Sequence, residues 1–177
     1  TRSDSDGLKI NSIRVDEIHE DNIISNTNIT LIDNETVENE DGTVTVAKAI
    51  LGQGANIYYN GFGTSSSSLK DVIKNNANFE LNGGIIDLSS NSYYVNAINN
   101  VNNSNFIMKN GEINENGYGI NGVYMANSST ATFESGRINI KNSSSSSINN
   151  YGIHNYSTGL VEIKNIETEE RLNIILN

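Results

Sequence analysis

Residues 104–138 read SNFIMKNGEINENGYGINGVYMANSSTATFESGRI, and one phrase occurs twice within them. Phe106, Gly111 and Ile113 lead through Tyr118 and Ile120 to Phe133, Gly136 and Ile138. The phrase extends in both directions. An apolar residue after a small polar cluster recurs at Ile29, Ile57, Phe79, Phe106, Phe133 and Val161, at spacings of 28, 22, 27, 27 and 28. A sustained period of this length marks a repeat architecture and takes precedence over other fold assignments.

Within each unit the pattern is that of strands. "FELNGGIIDL", "FIMKNGEINE" and "ATFESGRINI" each give a short alternating run, a glycine turn at Gly84, Gly111 or Gly136, and a second run. Alternation over four to six residues, bounded by Gly, Asn and Ser, is the mark of a half-buried strand. A third run follows in "YVNAINNV", "YGINGVYMA" and "YGIHNYST". Three short strands in about 25 residues cannot all pair as hairpins, but each can lie beside its counterpart one repeat later. The expected fold is an all-β, right-handed parallel β-helix of about six coils with three strands per coil. Like side chains then stack at roughly 4.8 Å. Phe79, Phe106, Phe133 and Val161 are expected to form one inward column. Leu81, Met108 and Ile163, interrupted by Ser135, form a second. Ile86, Ile113, Ile138 and Ile166 form a third, and Val95, Ile120 and Ile153 a fourth. Gly and Asn suit tight corners, where Asn side chains can bond along the stack. The serine tracts at 64–68 and 143–147 read as widened corners, which loop entropy tolerates.

Composition sets the outer limits. The chain has 177 residues, 36% of them hydrophobic and dispersed in short bursts, so no helical membrane span is encoded. It opens with polar, acidic "TRSDSDG", with no secretory signal, and a mature start is expected. Cys is absent, which excludes disulfides and thiolate metal sites. The net charge of −10 is concentrated in residues 1–50, with 11 acids against 4 bases. No basic stripe is present to bind phosphates, so nucleic acid is not an expected partner. Residues 1–25 are expected to be a cap or first coil, 26–166 the β-helix, and 167–177 a tail or the start of another coil. Neither end carries a clear polar cap, which suggests a piece of something longer and self-association through the solenoid ends.

The cadence "F-x-x-x-N-G-x-I … Y-G-I … S-T-x-x-x-x-x-G-x-I" over residues 26–166 resembles the repeats of bacterial surface β-helical proteins. These include autotransporter passenger domains and repeat adhesins of low-GC bacteria. The resemblance implies an extracellular or cell-surface location, a non-enzymatic role in adhesion or host contact as a rigid display stalk, and a host-surface protein or glycan as partner. It carries over no binding residue.

β-Helices also serve as polysaccharide lyases and glycoside hydrolases, so a carbohydrate-active fragment is the alternative. Such sites need neighbouring carboxylates. Alignment on the glycine turns instead places Asp87 over Asn114 and Asn139, Glu112 between Ile85 and Arg137, and Glu115 between Leu88 and Ile140. These are isolated acids, with Glu112 and Arg137 reading as a surface ion pair, and no catalytic residue is assigned. Neither histidine, His19 nor His154, joins a triad; His154 is expected in an outward column with Asn96 and Asn121. "DSDG" (Asp4, Asp6, Gly7) and "ENEDG" (Glu38, Glu40, Asp41, Gly42) read as acidic turns rather than complete calcium loops. No metal or cofactor is expected. The one candidate binding feature is an aromatic row of Tyr93, Tyr118 and Tyr151, able to stack on sugar rings or pack against a partner protein.

Overall fold

The computed structural model describes residues 3–4, 7–10, 23–25, 29–31, 36–38, 40–42, 44–46, 48–60, 70–90, 95–142, 149–164 and 172–176. Among them every regular element is a strand, and nearly all pair in parallel with a strand one repeat away. The fold is a parallel β-solenoid.

Each turn supplies three pairing segments, which build three walls. Wall A stacks Gly7–Ile10, Ile29–Leu31, Lys70–Asn75, Val95–Asn100, Ile120–Asn127 and Tyr151–Ser157. Walls B and C share the two longest strands, Asn78–Ser90 and Asn105–Gly117. A bulge after Leu81 divides the first of these. The leading halves pair with Ala49–Gly52, Thr130–Phe133 and Val161–Ile163 as wall B. The trailing halves pair with Asn56–Asn60, Gly136–Asn142 and, beyond them, Ile23–Ser25 and Leu172–Leu176 as wall C. About three turns are described, against the six expected. Segments linking the shorter strands at either end lie outside the described residues. A hairpin, Thr36–Glu38 with Val44–Val46, departs from the parallel pattern, and Glu40, Asp41 and Gly42 lie in the turn between its strands.

The core is the set of inward columns. Phe79 registers with Phe106, and their rings stack at 5.6 Å. In wall C, Ile57, Ile86, Ile113, Ile138 and Ile174 succeed one another in register. Burying each such side chain contributes roughly 1.5–3 kcal/mol, and Phe106, Ile113 and Ile138 are fully buried.

Three expected columns are corrected. Phe133 registers with Met108, not Phe106; Ala131 takes the place opposite Phe106. The second column thus runs Leu51, Leu81, Met108, Phe133, Ile163, and Ser135 does not interrupt it. Large faces small across the pair, and the Phe133 ring still meets Phe106 edge-on at 5.8 Å. Ile153 registers with Val123, in line with Ile98 and Ile73, whereas Val95 and Ile120 pair as expected. Ile166 lies outside the described residues, and Ile174 continues its column.

Corners are held by glycine and asparagine. At the B–C corner Gly83, Gly111 and Gly136 adopt φ of +96°, +118° and +112°, the region where a side chain is strained. Between walls A and B, Asn102 and Asn127 are left-handed, and each donates from Nδ2 to the asparagine one repeat earlier: Asn102 to Asn76 at 2.9 Å, Asn127 to Asn102 at 3.2 Å. Beneath them Asn75 donates to Asn100 at 2.7 Å, and Asn100 donates to the Thr130 carbonyl at 2.8 Å. Such ladders satisfy buried amides while fixing repeat spacing. Both serine tracts lie outside the described residues.

Candidate functional site

Wall A carries a tetrad that the sequence repeats in a disguised form. It reads DVIK at 71–74, NAIN at 96–99, NGVY at 121–124 and YGIH at 151–154. The first three tetrads bury both middle residues, as with Val72 and Ile73 or Ala97 and Ile98. Two consecutive inward residues break the strict alternation of a strand and bring the first and fourth positions to the same side. Two polar columns result: Asp71, Asn96, Asn121, Tyr151 and Lys74, Asn99, Tyr124, His154.

The first column is a hydrogen-bond chain. Asp71 accepts from Asn96 Nδ2 and Asn99 Nδ2, both at 2.7 Å. Asn96 Oδ1 accepts from Asn121 Nδ2 at 2.7 Å, and Asn121 Oδ1 meets His154 Nδ1 at 2.9 Å. His154 is therefore not in register with Asn96 and Asn121, as expected from sequence, but reaches Asn121 diagonally. It is partly buried, and that burial pushes its imidazole below the ordinary histidine pKa.

Around His154 three tyrosines converge. Tyr151 stacks on the imidazole at 4.1 Å, Tyr156 lies at 4.7 Å and Tyr124 meets it edge-on at 5.6 Å. Tyr151 is 39% exposed and Tyr156 66%. This cluster differs from the expected row. Tyr151 registers with Asn121, whereas Tyr118 sits at the preceding corner, its N–H bonded to the Ser90 carbonyl. Tyr93 lies outside the described residues. The signal for the cluster was the repeated tetrad, hidden by the more conspicuous recurrence of "YGI".

The acids stand apart. Asp87 accepts from Asn114 at 2.6 Å, and Asn114 from Asn139 at 2.6 Å, in the register read from the sequence. Glu112 pairs with Arg137 at 3.7 Å on the surface. It also lines a cleft of about 300 Å³ at the B–C corner with Gln53, Asn82, Gly83, Ile85, Asn110 and Gly111, and is the only carboxylate among these described lining residues. Glu80 is buried between Lys48 and Lys109. Burial opposes its ionisation, but the two lysines outweigh this and hold its carboxyl below the usual range.

Glu115 is different. It points into the core between Leu88 and Ile140, is 1% exposed, and neither carboxylate oxygen has a hydrogen-bond partner. Burial raises its pKa well above the ordinary value. Its position was readable from parity with Ile113, two residues earlier. Among the described residues no group of three metal-ligating side chains comes together.

Together these features define a parallel β-solenoid with amide ladders along its walls and one aromatic–histidine cluster on wall A. Comparison with protein-family models, with curated proteins and with solved structures returned no match.

Proposed function

We propose that this chain is a non-enzymatic display domain of a cell-surface or secreted protein, acting in adhesion through a lateral face. The supporting observation is the Tyr124, Tyr151, His154 and Tyr156 cluster, whose most exposed ring is 66% accessible on a wall otherwise rich in amides. Aromatic rings with one polar edge are effective anchors for sugars and for partner proteins. Stacked parallel strands with continuous core columns suit a stiff support for such a face. At the far end of wall B, Leu160 is 70% exposed and Ile163 60%, a feature that favours end-to-end association as a secondary contact.

A glycan array combined with a reducing-sugar assay tests this reading. Selective retention without release of reducing ends is the expected result. Release of new ends would overturn it in favour of a carbohydrate-cleaving solenoid. Silence in both, together with no capture of a host-surface protein, would reduce the domain to a spacer.

A further inference from the structure

The wall A ladder has a direction, and that direction fixes the chemistry of its last member. Asp71, as a carboxylate, offers only acceptors, so the atom of Asn96 that faces it must be the Nδ2 donor. Asn96 then turns Oδ1 toward Asn121, which must answer with Nδ2 and present its own Oδ1 to His154. An acceptor there requires a donor on the ring. The Nδ1 of His154 therefore carries the proton, and Nε2 carries the lone pair. This follows from the end group alone, without choosing amide orientations one by one. Burial lowers the His154 pKa and so favours the neutral ring that bears this lone pair.

What surrounds that lone pair selects a ligand class. Tyr151 and Tyr156 add exposed ring surface beside the imidazole. The charged groups of the two polar columns, Asp71 and Lys74, lie three strands away, roughly 14 Å, beyond the screening length of about 8–10 Å at physiological salt. A neutral acceptor beside aromatic faces, with no formal charge near it among the described residues of its columns, suits an uncharged ligand that brings both hydroxyl donors and a C–H face.

We propose that His154, Tyr151 and Tyr156 form a binding site for a neutral saccharide, in which His154 Nε2 accepts a hydrogen bond from a sugar hydroxyl and the tyrosine rings cover the sugar's apolar face. The inference rests on the display reading and narrows its partner to an uncharged glycan. The asparagine ladder acts as a positioning device, holding the imidazole in one tautomer from three strands away.

Two measurements test it separately. Long-range ¹H–¹⁵N correlation on the full chain should show His154 in the Nδ1–H form, and Asp71→Asn, which lets the ladder reverse, should populate the Nε2–H form. An Nε2–H tautomer in the unaltered protein would overturn the inference and leave the display reading intact. A glycan array should retain neutral oligosaccharides. Titrating the best of them should move the Nε2 resonance, and His154→Phe or Tyr156→Ala should each weaken it about tenfold. Retention confined to charged glycans, or retention indifferent to both substitutions, would overturn the saccharide site but not the display role. Capture of a protein in place of any glycan would do the same.

Discussion

The carboxylate of Glu115 occupies the space that a side chain at residue 122 would need. A Cβ added to Gly122 would meet Glu115 Oε1 at 2.5 Å. Core acid and bare backbone thus fit one another across two walls, in a position where the neighbouring repeats place Leu88 and Ile140.

An unpartnered buried carboxyl weakens the fold that holds it. Its folded pKa is raised above the unfolded value of about 4.3. Below that value both states are protonated and nothing changes with pH. As pH rises from there through the folded pKa, the unfolded chain releases a proton that the folded chain retains, and stability falls by about 1.4 kcal/mol per unit. Glu115→Leu, which matches its column, should remove this slope and add roughly 1–3 kcal/mol at pH 7. Urea unfolding across pH 4–8 checks both; an unchanged slope would show that the carboxyl is not buried as described.

Glu80 should behave in the opposite sense. Lys48 and Lys109 depress its folded pKa, so its contribution is present above about pH 4.3 and is lost as pH falls through the lower folded value. Glu80→Gln should cost about 1–3 kcal/mol at pH 7 and nothing at the acid end of the range. Equal losses at pH 7 and at low pH would argue against the paired geometry.

Glycine substitutions separate backbone strain from steric contact. Gly42 has φ +78° with open space around it, so Gly42→Ala should cost about 1 kcal/mol from strain alone. Gly117 has φ +131°, and a Cβ there would lie 1.6 Å from the Ser90 carbonyl oxygen of the previous repeat. Gly117→Ala should therefore cost roughly 3 kcal/mol or more, seen as a large fall in Tm. Similar Tm values for the two variants would contradict the close approach of these repeats.

At the A–B corner, Asn100 accepts from Asn75 Nδ2 and Ser104 Oγ, both at 2.7 Å, and donates to the Thr130 carbonyl. Removing it orphans several buried groups at once. Asn100→Ala should cost roughly 2–5 kcal/mol. Asn102→Ala, which removes an exposed ladder amide and places alanine at a φ of 61°, should cost about 1–2 kcal/mol. Chemical denaturation of both variants ranks them.

The repeat was legible wherever the units were aligned on their glycine turns rather than on the leading apolar residue. Phe79 over Phe106, Ile86 over Ile113 and Ile138, Asp87 over Asn114 and Asn139, and Glu112 beside Arg137 all stand in the register read from the sequence. The errors share a cause. A shift of two residues leaves every side chain on the same side of a strand. Local alternation therefore could not distinguish Phe133 over Phe106 from Phe133 over Met108. At Tyr151 the offset is three residues, which the paired inward residues of the wall A tetrad absorb. "YGI" at 118–120 marks a corner, whereas "YGI" at 151–153 lies within a strand.

By itself the sequence determined the all-β solenoid, its parallel stacking and the kinds of residue at its corners, because period and alternation are local properties of the chain. Only the tertiary structure decided which residues meet where the corners differ in length. Corner lengths set the register between turns, and register alone brings Asp71, Asn96, Asn121 and His154 into one directed chain and leaves Glu115 without a partner. Contacts across turns depend on the path of the intervening chain, which no window of sequence contains.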